Sequence, residues 1–127
     1  MTPYDLIENL IRISRSYLDE SEQTLRNRYI RKLGRREIFC ILGEGKIDAF
    51  VEWCWIKSED DVERAMSGCD TSGDILYVNG LYIAPGHSDL IFKLRHYLPN
   101  HTKLIFNQLH KGNRLRIHSK PVYEEAI

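Results

Sequence analysis

The sequence predicts an α+β domain, a mixed sheet with helices packed on it, in the order α-α-β-β-α-β-α-β-β. Three observations carry this. Leu6, Leu10, Ile13 and Tyr17 recur at helical spacing near the start, whereas Ile47 to Ile56 and Ile75 to Ile83 are runs rich in β-branched and aromatic residues. The stretch Ser72 to Leu98 passes from a Ser-Gly-Asp turn through the longest strand candidate and a Pro85-Gly86 corner into an amphipathic helix. The 127 residues, 1–127, read as a single domain, long enough for one core burying about two-thirds of the unfolded surface.

Taken in order, Thr2-Pro3-x-Asp5 is a helix start: Thr2 as N-cap, Pro3 at the first helical position, Asp5 at the positive end. A second helix, Glu22 to Leu33, carries Leu25, Tyr29 and Leu33 on one face, and Gly34 is its expected stop. Strands follow at Glu37–Leu42 and Ile47–Ile56, joined by Gly43-Glu44-Gly45-Lys46. In the second strand Ile47, Ala49, Val51, Trp53 and Trp55 share one face, and Asp48, Phe50, Glu52, Cys54 and Ile56 the other. Glu52 is expected in solvent, with a cleft carboxylate as the alternative. Ser58 is the expected cap of a short acidic helix ending near Met66. Asn79-Gly80 interrupts the Ile75–Ile83 run, and continuation into Leu81-Tyr82-Ile83 makes a bulge the better reading than a hairpin. Ser88 or Asp89 is expected to cap the next helix, which buries Leu90, Ile91, Leu94 and Leu98. Thr102–Leu109 and Arg114–Ser119 are strands joined through His110-Lys111-Gly112-Asn113. Leu115 and Ile117 face in there, and Arg114, Arg116 and His118 face out.

Composition excludes several classes. Lys+Arg and Asp+Glu both number 18, so no global field draws nucleic acid or an anionic membrane. The Ile47–Ile56 run is interrupted by Asp48 and Glu52, so nothing reads as a membrane span. The first residues lack a signal peptide's basic start and apolar run, which predicts a cytoplasmic protein. Cys40, Cys54 and Cys69 are odd in number without paired spacing, arguing against a zinc site or disulfide framework. Cys40 and Cys54 are expected as small buried hydrophobes. His96, His101, His110 and His118 show no metal-ligand spacing, so no metal is expected.

A strand that runs through a short loop into a helix start makes an anion pocket, because unpaired N–H groups and the positive helix end face the loop. Chemistry is therefore expected at the Pro85-Gly86 corner. Element order and the bulged strand before that corner resemble the GNAT acyltransferase fold, whose sheet is mixed and mostly antiparallel. The resemblance covers residues 35 to 109. It implies that the bulge at Asn79-Gly80 splays its strand from Thr102–Leu109, leaving room for the pantetheine arm of a thioester donor. It also implies donor contacts at Tyr82, Ile83, Gly86 and Ser88, with acyl-CoA or an acyl carrier protein as donor and a protein amine as acceptor.

A closer likeness is to the toxin-activating lysine acyltransferases, in Ser72-Gly73-Asp74, the Ile83-Ala84-Pro85 corner and the helix closing at Pro99. Small GNAT-like proteins of phages and mobile elements share the outline and the short length. The catalytic positions of the toxin-activating branch differ here: no His precedes His87, and Leu81 stands at the acidic position. The Gly86-His87-Ser88-Asp89 corner also departs from the common phosphate loop, having one glycine, no Arg or Gln, and a carboxylate. Thioester aminolysis needs a base, donors for the carbonyl oxygen and a proton for the thiolate. His87 is the remaining candidate base, Asn79 and Asn107 the candidate carbonyl-orienting groups, and Tyr82 or Tyr97 a proton source.

Two basic clusters remain. Arg26 to Arg36 includes Arg26 and Arg31, and the last strand carries Arg114 and Arg116. They are read as solvated faces or, as the alternative function, as the partner-holding surface of a catalytically silent interaction module. Nucleic acid is the weaker partner, since stacking aromatics are missing from the last hairpin.

Overall fold

The computed structural model of the chain describes residues 1–16, 18–66, 70–108 and 114–118, with backbone alone at 66, 106–108 and 114–118. Helix α1 (Pro3–Arg15) begins as its sequence dictates: Thr2 Oγ1 accepts from the Asp5 amide at 3.1 Å, and Asp5 Oδ2 accepts from the Thr2 amide at 3.2 Å. The Thr2 hydroxyl, and after it the Thr2 amide, hold the Asp5 carboxyl below its usual range by hydrogen bonding to it. Helix α2 (Glu22–Arg35) is capped by Ser21, whose hydroxyl accepts from the Thr24 amide at 3.1 Å. The chain continues through β1 (Ile38–Leu42), β2 (Ile47–Ile56), a 3₁₀ turn (Glu59–Asp61) and α3 (Val62–Met66). β3 (Ile75–Ile83), α4 (Leu90–His96), β4 (Leu104–Gln108) and β5 (Arg114–His118) follow.

The five strands form one sheet in sequence order, β1-β2-β3-β4-β5. Neighbours are antiparallel except β3 and β4, which are parallel because α4 crosses between them. The α+β order predicted from sequence is the order found. Alternation along β2 divides the core. Phe50 packs with Leu10, Ile11 and Ile13 of α1 and Leu25 and Tyr29 of α2; Cys54 and Ile56 pack with Val62 and Ala65 of α3. Ala49, Val51 and Trp53 face the other way, toward Leu94 of α4, Leu98, Leu76 and Leu104. Each Leu, Ile, Val or Phe among them, fully buried, contributes about 1.5–3 kcal/mol. Ile47 departs from the strict alternation and joins the α1–α2 side, because the β1–β2 register shifts at Ile41/Leu42.

Several expectations need correction. Gly34 does not stop α2. The helix runs on to Arg35, and Arg36, with φ 56° in the left-handed region, ends it. The Ser58 side chain makes no capping hydrogen bond; instead Asp61 Oδ2 accepts from the Lys57 amide at 3.0 Å. Neither Ser88 nor Asp89 caps α4 through its side chain. Asp89 has helical dihedrals, and the first amides bond to carbonyls three residues back, Leu90 to His87 at 2.9 Å. Tyr17, Cys69, Leu109, the His110–Asn113 turn and Ser119 lie outside the described residues, as do the side-chain directions expected along β5.

Cys40 and Cys54 are free thiols; Cys54 is buried as expected, whereas Cys40 is only half-buried. Burial pushes the Cys40 thiol up to about 12 and raises that of Cys54 as well. Among the described residues no helix is long and apolar enough to cross a membrane.

Candidate functional site

The site follows from one extra residue in β3. Pairing with β2 runs Tyr77–Cys54 and Val78–Trp53, then resumes at Gly80–Glu52, so Asn79 is the bulged residue predicted from sequence. Pairing with β4 covers three positions, Leu76–Leu104, Tyr77–Ile105 and Val78–Phe106. Asn79 and Asn107 are the next residues on their two strands. Beyond them β3 pairs with β2 as far as Ile83, and β4 with β5 as far as Gln108. The sheet therefore forks, with an asparagine on each strand at the branch point. Asn79 Oδ1 is buried and has no hydrogen-bond partner among the described residues.

Beneath the bulge lies a polar cluster that the expectations above do not contain. Glu52 is not in solvent: it is 1% exposed and ion-paired with Arg28, itself 6% exposed. Arg28 Nη2 also donates to the Asn79 carbonyl at 3.3 Å. One turn along α2, Lys32 is 5% exposed and donates to the Trp53 carbonyl. Burial lowers the Lys32 amine to about 8. Gly80 permits this arrangement, since a Cβ there would stand 2.5 Å from Glu52 Oε1. Arg28 and Lys32 belong to the charge run read as a solvated face; for these two that reading is wrong. The available signal was the spacing of Leu25, Arg28, Tyr29 and Lys32, which is a buried helical stripe.

The corner after β3 is the other end of the fork. The Ala84 amide donates to the Asp48 carbonyl at 2.8 Å and the His87 amide to the Ala84 carbonyl at 3.1 Å, closing a turn in which Gly86 has φ 85°. His87 Nε2 stands 3.9 Å from the carboxylate of Asp48, an ion pair when the imidazole is protonated. Tyr82 stacks on Phe50 on the α1–α2 side, and Ile83 packs on the α4 side. Gly86 and Ser88 are exposed. His87 does not share a position with Asn79, because the four residues from Asn79 to Ile83 span about 13 Å of strand. Tyr97 lies apart from the fork, stacked on Phe39 of β1.

The basic clusters are partly neutralised within the chain. Arg26 pairs with Glu8 and Glu22, and Asp70 stands 3.7 Å from Arg31 and 3.2 Å from Arg35. Arg114 and Arg116 lie on β5, opposite Gln108 and Phe106. Among the described residues no cluster of His, Cys, Asp or Glu could hold a metal ion. Among the described residues, an open groove on the α4 side, beside Trp53, Trp55, Arg36 and Pro99, takes no lining residue from β4 or from β3 beyond the bulge, which sets it apart from the fork.

No family profile and no curated protein matches the chain. Among solved structures, the GNAT-like decarboxylase GphF in complex with isobutyryl-CoA superposes with a TM-score of 0.59 at 18% sequence identity, covering 84% of this chain. The chain spans about 63% of that protein's length. At this identity the likeness concerns architecture, and the forked mixed sheet described above is a GNAT-like fold.

Proposed function

We propose that the fork between β3 and β4 receives the pantetheine arm of an acyl thioester, with acyl-CoA or an acyl carrier protein as donor. The observation that carries this reading is the end of the β3–β4 ladder at Val78–Phe106, immediately before Asn79 and Asn107. A strand edge freed from its neighbour offers backbone N–H and C=O groups to the amides of an extended arm. Asn79 Oδ1, buried without a partner among the described residues, is an acceptor suited to a ligand N–H. The structural neighbour was solved with isobutyryl-CoA, which supports a thioester ligand for this architecture. The donor's phosphate end lies at Gly86 to Ser88, where His87 supplies a cation on protonation, and Tyr82 and Ile83 line the β3 side. The thioester lies at the asparagines.

The reaction proposed is acyl transfer to a protein amine: the amine nitrogen attacks the thioester carbonyl, the C–S bond breaks, and the amine proton leaves as the thiolate gains one. Asn79 and Asn107 orient the carbonyl. The separation above puts His87, at the phosphate end, beyond hydrogen-bond reach of that carbon, so the amine proton passes to solvent water while the thiolate takes one from solvent. A second reading, a catalytically silent module that binds a donor or partner protein, is favoured by one observation. The carboxylate nearest the bulge, Glu52, is committed to Arg28. Calorimetry with an acyl-CoA panel and an acyl carrier protein tests the binding reading; no heat with any donor removes it. Mass-spectrometric detection of acyl-lysine on an added protein separates transfer from silent binding.

A further inference from the structure

We infer that Arg28 is a positioning residue for the fork: from α2, it holds the bulge in β3 by taking the carbonyl that the bulge turns out of the strand ladder. A regular antiparallel strand gives every carbonyl an N–H partner on one neighbour or the other. One extra residue breaks that arrangement, and a buried carbonyl without a donor is costly. Arg28 Nη2, 3.3 Å from the Asn79 carbonyl, supplies the donor. Its charge is in turn held by Glu52, which is the residue facing Gly80 across the bulge. The three parts depend on one another. Glu52 lies over Gly80 because no Cβ stands there, Arg28 is held by Glu52, and Asn79 stays out of register because Arg28 occupies its carbonyl.

Without this support the strand has a cheaper arrangement. Expelling the bulge would shift β3 by one residue against β2 beyond Val78, moving Leu81 and Ile83 to the opposite face. A straightened β3 could also extend its pairing with β4 past Phe106, closing the fork. Arg28 therefore controls the opening without facing a ligand. Its effect on a donor rests on the reading of the fork proposed above; its effect on the bulge does not.

The test uses the full chain with Arg28→Met/Glu52→Leu, which removes both charges together, beside Arg28→Lys, which keeps the charge but replaces the fork of donors by one point-like head. Amide hydrogen exchange is followed at residues 79–83, with α1 and β1 amides as internal controls, and donor affinity is measured by calorimetry. The expected result is exchange at 79–83 at least tenfold slower in the folded double variant, as the straightened strand gains ladder partners, with control amides unchanged and donor Kd raised at least tenfold. Arg28→Lys is expected to fall between the two, and it carries the same readouts where the double variant does not fold. Unchanged exchange at 79–83 in a folded variant overturns the inference. If exchange changes as expected while the parent chain binds no donor, the inference stands and the thioester reading falls. If the parent binds a donor and neither exchange nor Kd moves in the variants, the reading stands and the inference falls.

Discussion

The Arg28 guanidinium and the Glu52 carboxylate meet inside the domain directly under Gly80, where β3 gains its extra residue. Taking two charges out of water is justified energetically only when each finds partners, and the pair alone is weak evidence for stability. Its position at the branch point of the sheet connects it to shape.

Gly80 is the first place to test that connection. Gly80→Ala forces a Cβ against Glu52 and is expected to lower stability by about 1–3 kcal/mol, the usual range for overpacking a filled site. Urea denaturation reads this as a lower midpoint with an unchanged slope. An unchanged midpoint would mean that Glu52 does not lie over Gly80.

Lys32 gives a pH signature. Its amine is lowered from 10.5 to about 8 in the folded chain. Below about 8 both folded and unfolded chains hold the proton, so this residue adds no pH dependence. Between about 8 and 10.5 the unfolded chain holds one proton more, so stability rises with pH, by about 1.4 kcal/mol per unit at most. The Cys40 and Cys54 thiols and the Tyr29 hydroxyl, all raised by desolvation, act in the opposite direction. The difference between wild type and Lys32→Met isolates the lysine: the stability advantage of Lys32→Met is expected to shrink as pH rises from 8 to 10. A constant difference across that window contradicts the assignment.

Cys40 and Cys54 are expected to resist thiol reagents in the native state. With the Cys40 thiol at about 12, the thiolate fraction at pH 8 is about one in ten thousand, and the thiolate is the reactive form. Labelling with an aromatic disulfide at pH 8 should proceed at these two positions through unfolding, and urea should speed it. Rapid native labelling at Cys40, located by peptide mapping, would show that it is open.

Asn79→Ala removes the amide at the branch point and leaves the backbone carbonyl that Arg28 holds. Donor binding is expected to weaken about tenfold, or about 1.4 kcal/mol, as for one hydrogen bond in a buried site. The midpoint of unfolding should stay close to wild type. Unweakened binding would take Asn79 out of the site.

Much of this was legible in the residues, and what was missed shares a cause. Asn79-Gly80 interrupts an apolar run that resumes at once, and that local signature announced the bulge. The capping pair Thr2 and Asp5 was equally local. Glu52 was different. Its place between Phe50 and Cys54 pointed inward, yet the partner that makes such a position tolerable, Arg28, lies 24 residues earlier on another element. Arg28 and Lys32 look like members of a surface charge run until α2 is docked. Gly34 misled for the opposite reason: a glycine near a helix end suggests a stop, but two more residues are helical and Arg36 takes the left-handed position.

The three rungs between β3 and β4 have a mechanical consequence. They form a short spine between two leaves, β1-β2-β3 on one side and β4-β5 on the other. Leu104 and Ile105 are packed into the core on both sides of that spine, so any change of spread falls to the strand ends beyond Val78 and Phe106. If the fork holds the proposed donor, the breadth it admits is set by how far those ends part and not by carving a wider cavity.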